Sequence, residues 1–203
     1  MTRTNISNAR DRILQAAVKI FAEKSFEGAR IEEIAREAGV PKSLIYYHFE
    51  SKDKLLEVLT QNFIDEYAAL LLKAGAETSG GKVQSLSMRM KNYYYDFGQR
   101  NADLVRVMLI DSLKKSREEP VLFKVMEAFI EAEKKLLGPE AVKECDIHEY
   151  MIAEFFTNFM PNYAYVCFAE SWSRYFGLDR ENFDRYYIKA YLQSHGALHK
   201  NCD

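Results

Sequence analysis

The chain has 203 residues, 48% of them hydrophobic and 29% charged, with four prolines and nine glycines, a composition that supports a buried core and excludes a disordered or collagen-like polymer. A net charge of −2 carries no global signature of nucleic-acid binding. The balance is nevertheless uneven, since residues 1–52 hold 9 Lys+Arg against 7 Asp+Glu and the remainder holds 19 against 23, so a DNA-facing N-terminal unit is permitted.

The opening "MTRTNISNARDR" lacks the apolar core of a secretory signal, and no apolar run approaches the ~18 residues of a membrane span. The sequence therefore predicts a cytoplasmic chain without membrane association. Cys145, Cys167 and Cys202 are odd in number and lack paired spacing, which suits reduced thiols.

Apolar residues recur at helical spacing along almost the whole chain, and no two-residue alternation argues for a strand, so the fold class expected is all-α. Ile13, Ala17, Ile20 and Phe21 form the stripe of a first helix, which breaks at "KSFEGA". Ile31, Ile34, Ala35 and Ala38 make a second, short stripe, closed by Gly39 in the left-handed position that commonly ends a helix. Pro41 suits the first turn of a third helix, whose inward side is Leu44, Ile45 and Phe49. Ser51 can cap a fourth, with Asp53 in its first turn and Leu56, Leu59, Phe63, Tyr67, Leu70 and Leu71 carrying it to about Lys73.

"AGAETSGGK" reads as a loop, and further helices are expected over 83–100, 102–115, 120–137, 146–176 and 180–200. Pro161 falls inside the longest of these, where it removes one backbone hydrogen bond and bends the helix; the bend could widen a cavity or serve packing.

Two short helices joined by "AGVP" behind a longer one form a helix-turn-helix pattern, whose second member lies in the DNA major groove. Ile45 and Phe49 would hold the third helix against Ile31, Ile34 and Phe21, leaving Lys42, Ser43, Tyr46 and Tyr47 outward. Lys42 and Lys52 offer ammonium groups to phosphates, while tyrosine and His48 can donate to phosphate oxygens from rigid rings. Ser43 can bond to base edges, and Leu44 could pack on a thymine methyl. A lysine and tyrosine cluster standing alone is usually just a solvated face; here Gly39, Pro41 and two preceding helices stand in register with it.

The stretch "ILQAAVKIFAEKSFEGARIEEIAREAGVPKSLIYYHFESKDKL", residues 13–55, resembles the DNA-binding domain of the TetR family of transcriptional regulators. The resemblance implies an all-helical homodimer, with a helix-turn-helix DNA-binding domain over 1–50 and an effector-binding and dimerisation bundle over 51–203. It implies DNA contacts at the matching positions Lys42, Ser43, Leu44, Tyr46, Tyr47, His48 and Lys52, although family members often carry a small or polar residue where Leu44 stands. It also implies a four-helix interface built by the two C-terminal helices, before and after "FGLD". A symmetric dimer would set its recognition helices ~34 Å or more apart and read a palindromic double-stranded operator.

The larger unit is dense in aromatics and methionines, which suits a core and also a pocket for a largely apolar or aromatic small molecule. Tyr94, Met108, Asp111, Phe123, Met126, Glu127, Phe155, Asn158, Phe159 and Tyr163 are the candidate lining. Tyr94, Asp111, Glu127, Glu154 and Asn158 would be its polar handles if they point inward, and a buried carboxylate would favour a cationic ligand.

Cys145 with His148, and His195 with His199 near Cys202, have ligand-like spacings but no full shell, so neither a metal site nor a cofactor is expected. An enzyme is disfavoured by the lack of a phosphate-cradling glycine loop, a nucleophile elbow or a repeated Glu and His ligand set. The expectation is a ligand-responsive repressor, with an activator of the same fold, a helical-bundle enzyme or a protein-docking module as alternatives.

Overall fold

The structure is a computed structural model and describes residues 3–77, 95–114, 118–137 and 146–198. All regular structure among the described residues is helical: α1 (Arg3–Gly28), α2 (Ile31–Ala38), α3 (Lys42–Phe49), α4 (Lys52–Glu77), α5 (Asp96–Arg100), α6 (Ala102–Ser112), α7 (Val121–Leu137), α8 (Ile147–Ala153), a π-helical turn (Glu154–Phe159), α9 (Met160–Phe176) and α10 (Arg180–Leu198). Two compact units emerge, one of Met1–Asp65 with Arg106–Val125 and one of Glu66–Val105 with Met126–Asp203.

In the first unit the expected stripes are the core: Ile13, Ala17, Ile20 and Phe21 of α1, Ile31, Ile34, Ala35 and Ala38 of α2, and Ile45 and Phe49 of α3 are all buried. Leu44, expected on the inward side of α3, is only half-buried. The break near "KSFEGA" sits at Ser25, where φ 63° and ψ 165° leave the helical region within α1. That backbone region is almost confined to glycine, so a serine there is strained. Gly39 ends α2 at φ 63°, where a left-handed residue is needed. Pro41 stands one residue ahead of α3, and its carbonyl accepts from the Leu44 N–H at 2.9 Å. Ser51 caps α4 as expected, its hydroxyl accepting from the Lys54 N–H at 3.0 Å.

Lys52 has a role the sequence does not announce. Its ammonium donates to the carbonyls of Phe26, Glu27 and Ala29 at 2.6, 3.2 and 3.1 Å and lies 4.6 Å from the centre of the Phe26 ring. Those carbonyls belong to the end of α1, where carbonyl groups lack helical partners and a cation is favoured. Lys114 pairs with Glu27 on the same end of α1 and lies 3.6 Å from the fully buried Asp111. Its ammonium holds the Glu27 carboxyl below the usual range through their hydrogen bond.

α4 continues to Glu77, past the expected end near Lys73 and into the stretch read as a loop; the rest of that stretch, and most of the helix expected over 83–100, lie outside the described residues. The helices expected over 102–115, 120–137 and 180–200 are found within a few residues of those limits.

In the second unit the long segment expected over 146–176 does not simply bend at Pro161. The chain widens into the π turn just ahead of it. Proline has no N–H to donate, and its ring clashes with the carbonyl four residues back; widening the turn relieves that clash. Within the turn the Thr157 hydroxyl donates to the Ala153 carbonyl at 2.7 Å.

α10 runs back along this segment and makes a polar ladder with it. Tyr187 donates to Asn162 at 3.4 Å, Tyr191 donates to Asn158 at 2.7 Å, and His195 Nε2 stands 3.7 Å from Glu154. The ladder is tied lengthwise as well, Asn158 donating to Glu154 at 2.7 Å and Asn162 donating to the Asn158 side chain at 2.9 Å. At the other end of the pair Arg180 donates to Asp184 at 2.7 Å and to the Tyr165 hydroxyl at 2.8 Å. Burial pushes the Tyr165 and Tyr187 hydroxyls above the usual tyrosine range. Gly98 of α5 lies so close to α9 that an added Cβ would stand 2.6 Å from a methyl of Val166.

Lys52→Ala is expected to destabilise the protein by about 1–2 kcal/mol, by leaving the end of α1 without its cap. Thermal unfolding in the absence of DNA checks this: an unchanged Tm would mean that the three carbonyl bonds contribute nothing.

Candidate nucleic-acid interface and bundle cavity

α3 has eight residues, too few to persist alone as a helix in water. It is held by Ile45 and Phe49, each 1% exposed. The four-residue spacing of that pair leaves the opposite flank free. Lys42, Ser43, Tyr46 and Tyr47 are exposed along it, Tyr47 most of all at 74%. No carboxylate belongs to this flank, but one reaches it from α2: Glu32 pairs with Lys42. Their hydrogen bond holds the Lys42 ammonium above the usual lysine range and the Glu32 carboxyl below the usual carboxylate range. Lys42 also stands 5.6 Å from the centre of the Tyr46 ring.

Three of the candidate DNA-contacting residues differ from this group. Leu44 and His48 are half-buried. The His48 ring packs edge-on against Tyr47 at 5.1 Å, and its Nε2 is shut off from solvent without a hydrogen-bond partner among the described residues. Lys52 is committed to the carbonyls of α1.

The second unit contains a small cavity bounded by Tyr67 of α4, by Met126, Phe129 and Ile130 of α7, and by Glu154, Asn158 and Phe159 of the π turn. Its space is about 260 Å³ counting the mouth, and the enclosed part has room for a water-sized occupant. Of the candidate lining, Met126, Asn158 and Phe159 meet here, with Phe155 and Tyr163 packed on Phe159 at 6.0 and 4.3 Å. Phe123 and Glu127 are instead exposed on α7, and Met108 and Asp111 are buried in the first unit. Tyr94 lies outside the described residues, as do Cys145, His199 and Cys202.

Sequence reasoning left Tyr67, Phe129 and Ile130 out of the lining and held Glu154 only as a handle. A Tyr67–Phe129 stack at 3.6 Å joins two helices far apart in the chain, so only the paired apolar stripes could have suggested it. Among the described residues no group of three or more His, Cys, Asp or Glu side chains could hold a metal ion, and no helix is long and apolar enough to cross a membrane.

Residues 13–59 match the family described as bacterial regulatory proteins, tetR family. The "Probable HTH-type transcriptional regulator YttP" of Bacillus subtilis is 29% identical over 109 residues, 52% of this chain and 53% of that protein. IcaR of Staphylococcus aureus, named as a negative transcriptional regulator of the biofilm operon icaADBC, is 25% identical over 91 residues, 45% of this chain and 48% of its own. The chain thus spans about half the length of the curated relatives it matches.

Among solved structures, a TetR family transcription regulator from Marinobacter aquaeolei has a TM-score of 0.66 at 17% identity, covering 97% of this chain and 98% of its own. FadR of Bacillus subtilis, solved with stearoyl-CoA, has a TM-score of 0.67 at 16% identity over 90% and 97%. At such identities these two speak for the fold, while the matched segment carries the helix-turn-helix itself. Residues 13–59 are thus similar to the DNA-binding segment of the tetR family of bacterial regulatory proteins.

Proposed function

We propose that this protein is a DNA-binding transcriptional regulator, a repressor that binds a palindromic operator as a homodimer in the cytoplasm and is released by a small, largely apolar effector. The division of labour is 1–50 for DNA and 51–203 for effector and partner. The observation that carries the reading is the free flank of α3: Lys42, Ser43, Tyr46 and Tyr47 exposed above the buried Ile45 and Phe49. Serine and tyrosine hydroxyls donate to phosphates and base edges, and the ammonium adds charge that strengthens binding at low salt. Leu44 and His48 would complete the contact surface at its margins. Lys52 would reach a phosphate only by leaving the end of α1, so its part in DNA binding is to fix the helices that present the flank.

Glu32 makes the Lys42 contact an exchange: a phosphate oxygen takes the place of a carboxylate oxygen, so part of the Coulombic gain is already spent in the free protein. Lys42→Ala and Tyr47→Phe should weaken operator binding about tenfold and about threefold, with helicity unchanged. Glu32→Gln should strengthen it across all sequences. Operators selected from random duplexes, followed by gel-shift titration at several salt concentrations, supply the test; unchanged affinity in both Lys42→Ala and Tyr47→Phe would remove α3 as the reading element.

Support for a dimer comes from α9 and α10, where Phe168, Trp172, Tyr175, Phe176 and Tyr186 are exposed, Tyr175 at 83%. So many large aromatics on two adjacent helices mark an interaction surface. The double variant Phe168→Glu with Phe176→Glu should raise the dimer dissociation constant at least a hundredfold, since buried aromatic anchors each contribute about 2 kcal/mol or more. Sedimentation measures this, and a dimer that persists unaltered would assign the contact elsewhere.

A further inference from the structure

We propose that base reading by α3 is apolar: Leu44 and the Tyr47 ring pack on thymine 5-methyl groups in the major groove, so the operator is recognised at A·T pairs. This deepens the regulator reading and rests on it. α3 has the sequence KSLIYYHF. It carries no arginine, asparagine, glutamine, aspartate or glutamate, the side chains that form two-pronged hydrogen bonds to guanine or adenine or accept from cytosine. Of the residues with that ability only Lys42 is present, since lysine can also bond to guanine.

Lys42 is already engaged. Its ammonium pairs with Glu32 of α2 and lies 5.6 Å from the centre of the Tyr46 ring. An exposed pair of this kind is readily exchanged for a phosphate, a contact that grips without reading sequence. Direction points the same way. At about 100° per residue, the line opposite the buried Ile45 and Phe49 falls on Tyr47, with Ser43 and Leu44 within ~60° on either side of it. Lys42, Tyr46 and His48 fall ~100° or more away, toward the groove's phosphate walls. A recognition helix sets its N-terminal residues against base edges, which singles out Ser43 and Leu44 in the first turn.

Of these two, the serine discriminates little, because a hydroxyl both donates and accepts and can bond to any base edge. Leu44 does discriminate. By exposure it lies at the margin of the flank, half-buried, so part of its side chain stays open beside Tyr47, which is 74% exposed. A polar edge turned toward that surface loses its water and gains no partner, whereas a thymine methyl gains by leaving water. The Tyr47 ring extends the apolar surface, and its hydroxyl is left to reach a phosphate. Burying one methyl corresponds to about fourfold in affinity.

Deoxyuridine lacks only the methyl of thymidine, and 7-deazaguanine lacks the N7 acceptor of guanine, so base-substituted duplexes separate a methyl reader from a guanine reader. The probe is a tightly bound duplex selected from a random pool, titrated by gel-shift with the full chain. Replacing its thymidines by deoxyuridine should weaken binding at least tenfold, about fourfold for each contacted methyl, while 7-deazaguanine should leave it within twofold. Leu44→Ala should weaken binding to the thymidine duplex and shrink the thymidine-to-deoxyuridine ratio at least threefold; a merely structural Leu44 would lower both affinities alike. Equal affinity for the two duplexes, a larger loss with 7-deazaguanine than with deoxyuridine, or an unchanged ratio in Leu44→Ala would overturn the proposal, and the first two comparisons need only the wild-type protein should the variant fold poorly. A tight duplex indifferent to its methyls sinks the methyl reading alone, whereas a pool that yields no bound duplex strikes the regulator reading and the proposal with it.

Discussion

Everything proposed for DNA depends on the burial of two side chains, Ile45 and Phe49, four residues apart on a helix too short to stand by itself. Burying them contributes on the order of 4 kcal/mol in apolar transfer, enough to hold two turns of helix in place. The same anchoring decides what the other flank can be. A helix with one side locked into a core presents its remaining side chains at fixed angles, and the positions left over are Lys42, Ser43, Tyr46 and Tyr47. The tyrosines are suited to that place because a rigid ring loses little conformational entropy when it docks.

Much of this was legible because its signals are local. Ile31, Ile34, Ala35 and Ala38 announce a helix face, Gly39 its end and Ser51 the next start, and each of these is settled by neighbours within four or five residues. Lys52 shows where locality fails. Beside a cluster of tyrosines it reads as a phosphate contact, but its partners are three main-chain carbonyls 23 to 26 residues earlier, and main-chain groups leave no trace in a sequence pattern. The strained backbone at Ser25 is illegible for the same reason, since nothing about a serine signals φ 63°.

The cavity was legible only in part because α7 and the π turn both defeat simple counting. α7 has apolar residues on more than one side, so Phe123 and Met126 looked equally inward; only packing separates the exposed Phe123 from the buried Met126. Between 153 and 160 the wider turn rotates every later side chain relative to a regular helix. Residues four apart drift around an α-helix of 3.6 residues per turn, and the widening brings Glu154, Asn158 and Asn162 closer to one line. That alignment lets them meet Asn162's, Asn158's and Glu154's partners on α10 in order: Tyr187, Tyr191 and His195.

A ladder of that kind fixes the register of two helices, because a slip by one turn would strand buried polar groups at a cost of about 1–3 kcal/mol each. Register, however, does not require an acid at position 154. A glutamine there could accept from Asn158 through its carbonyl and offer an N–H to His195, whose Nε2 carries the lone pair once Nδ1–H is given to Thr157. It would fill the same volume and bury no charge. What the acid adds over an amide is a charge match, because His195 Nε2 stands 3.7 Å from Glu154 and a protonated ring there forms an ion pair that closes the ladder.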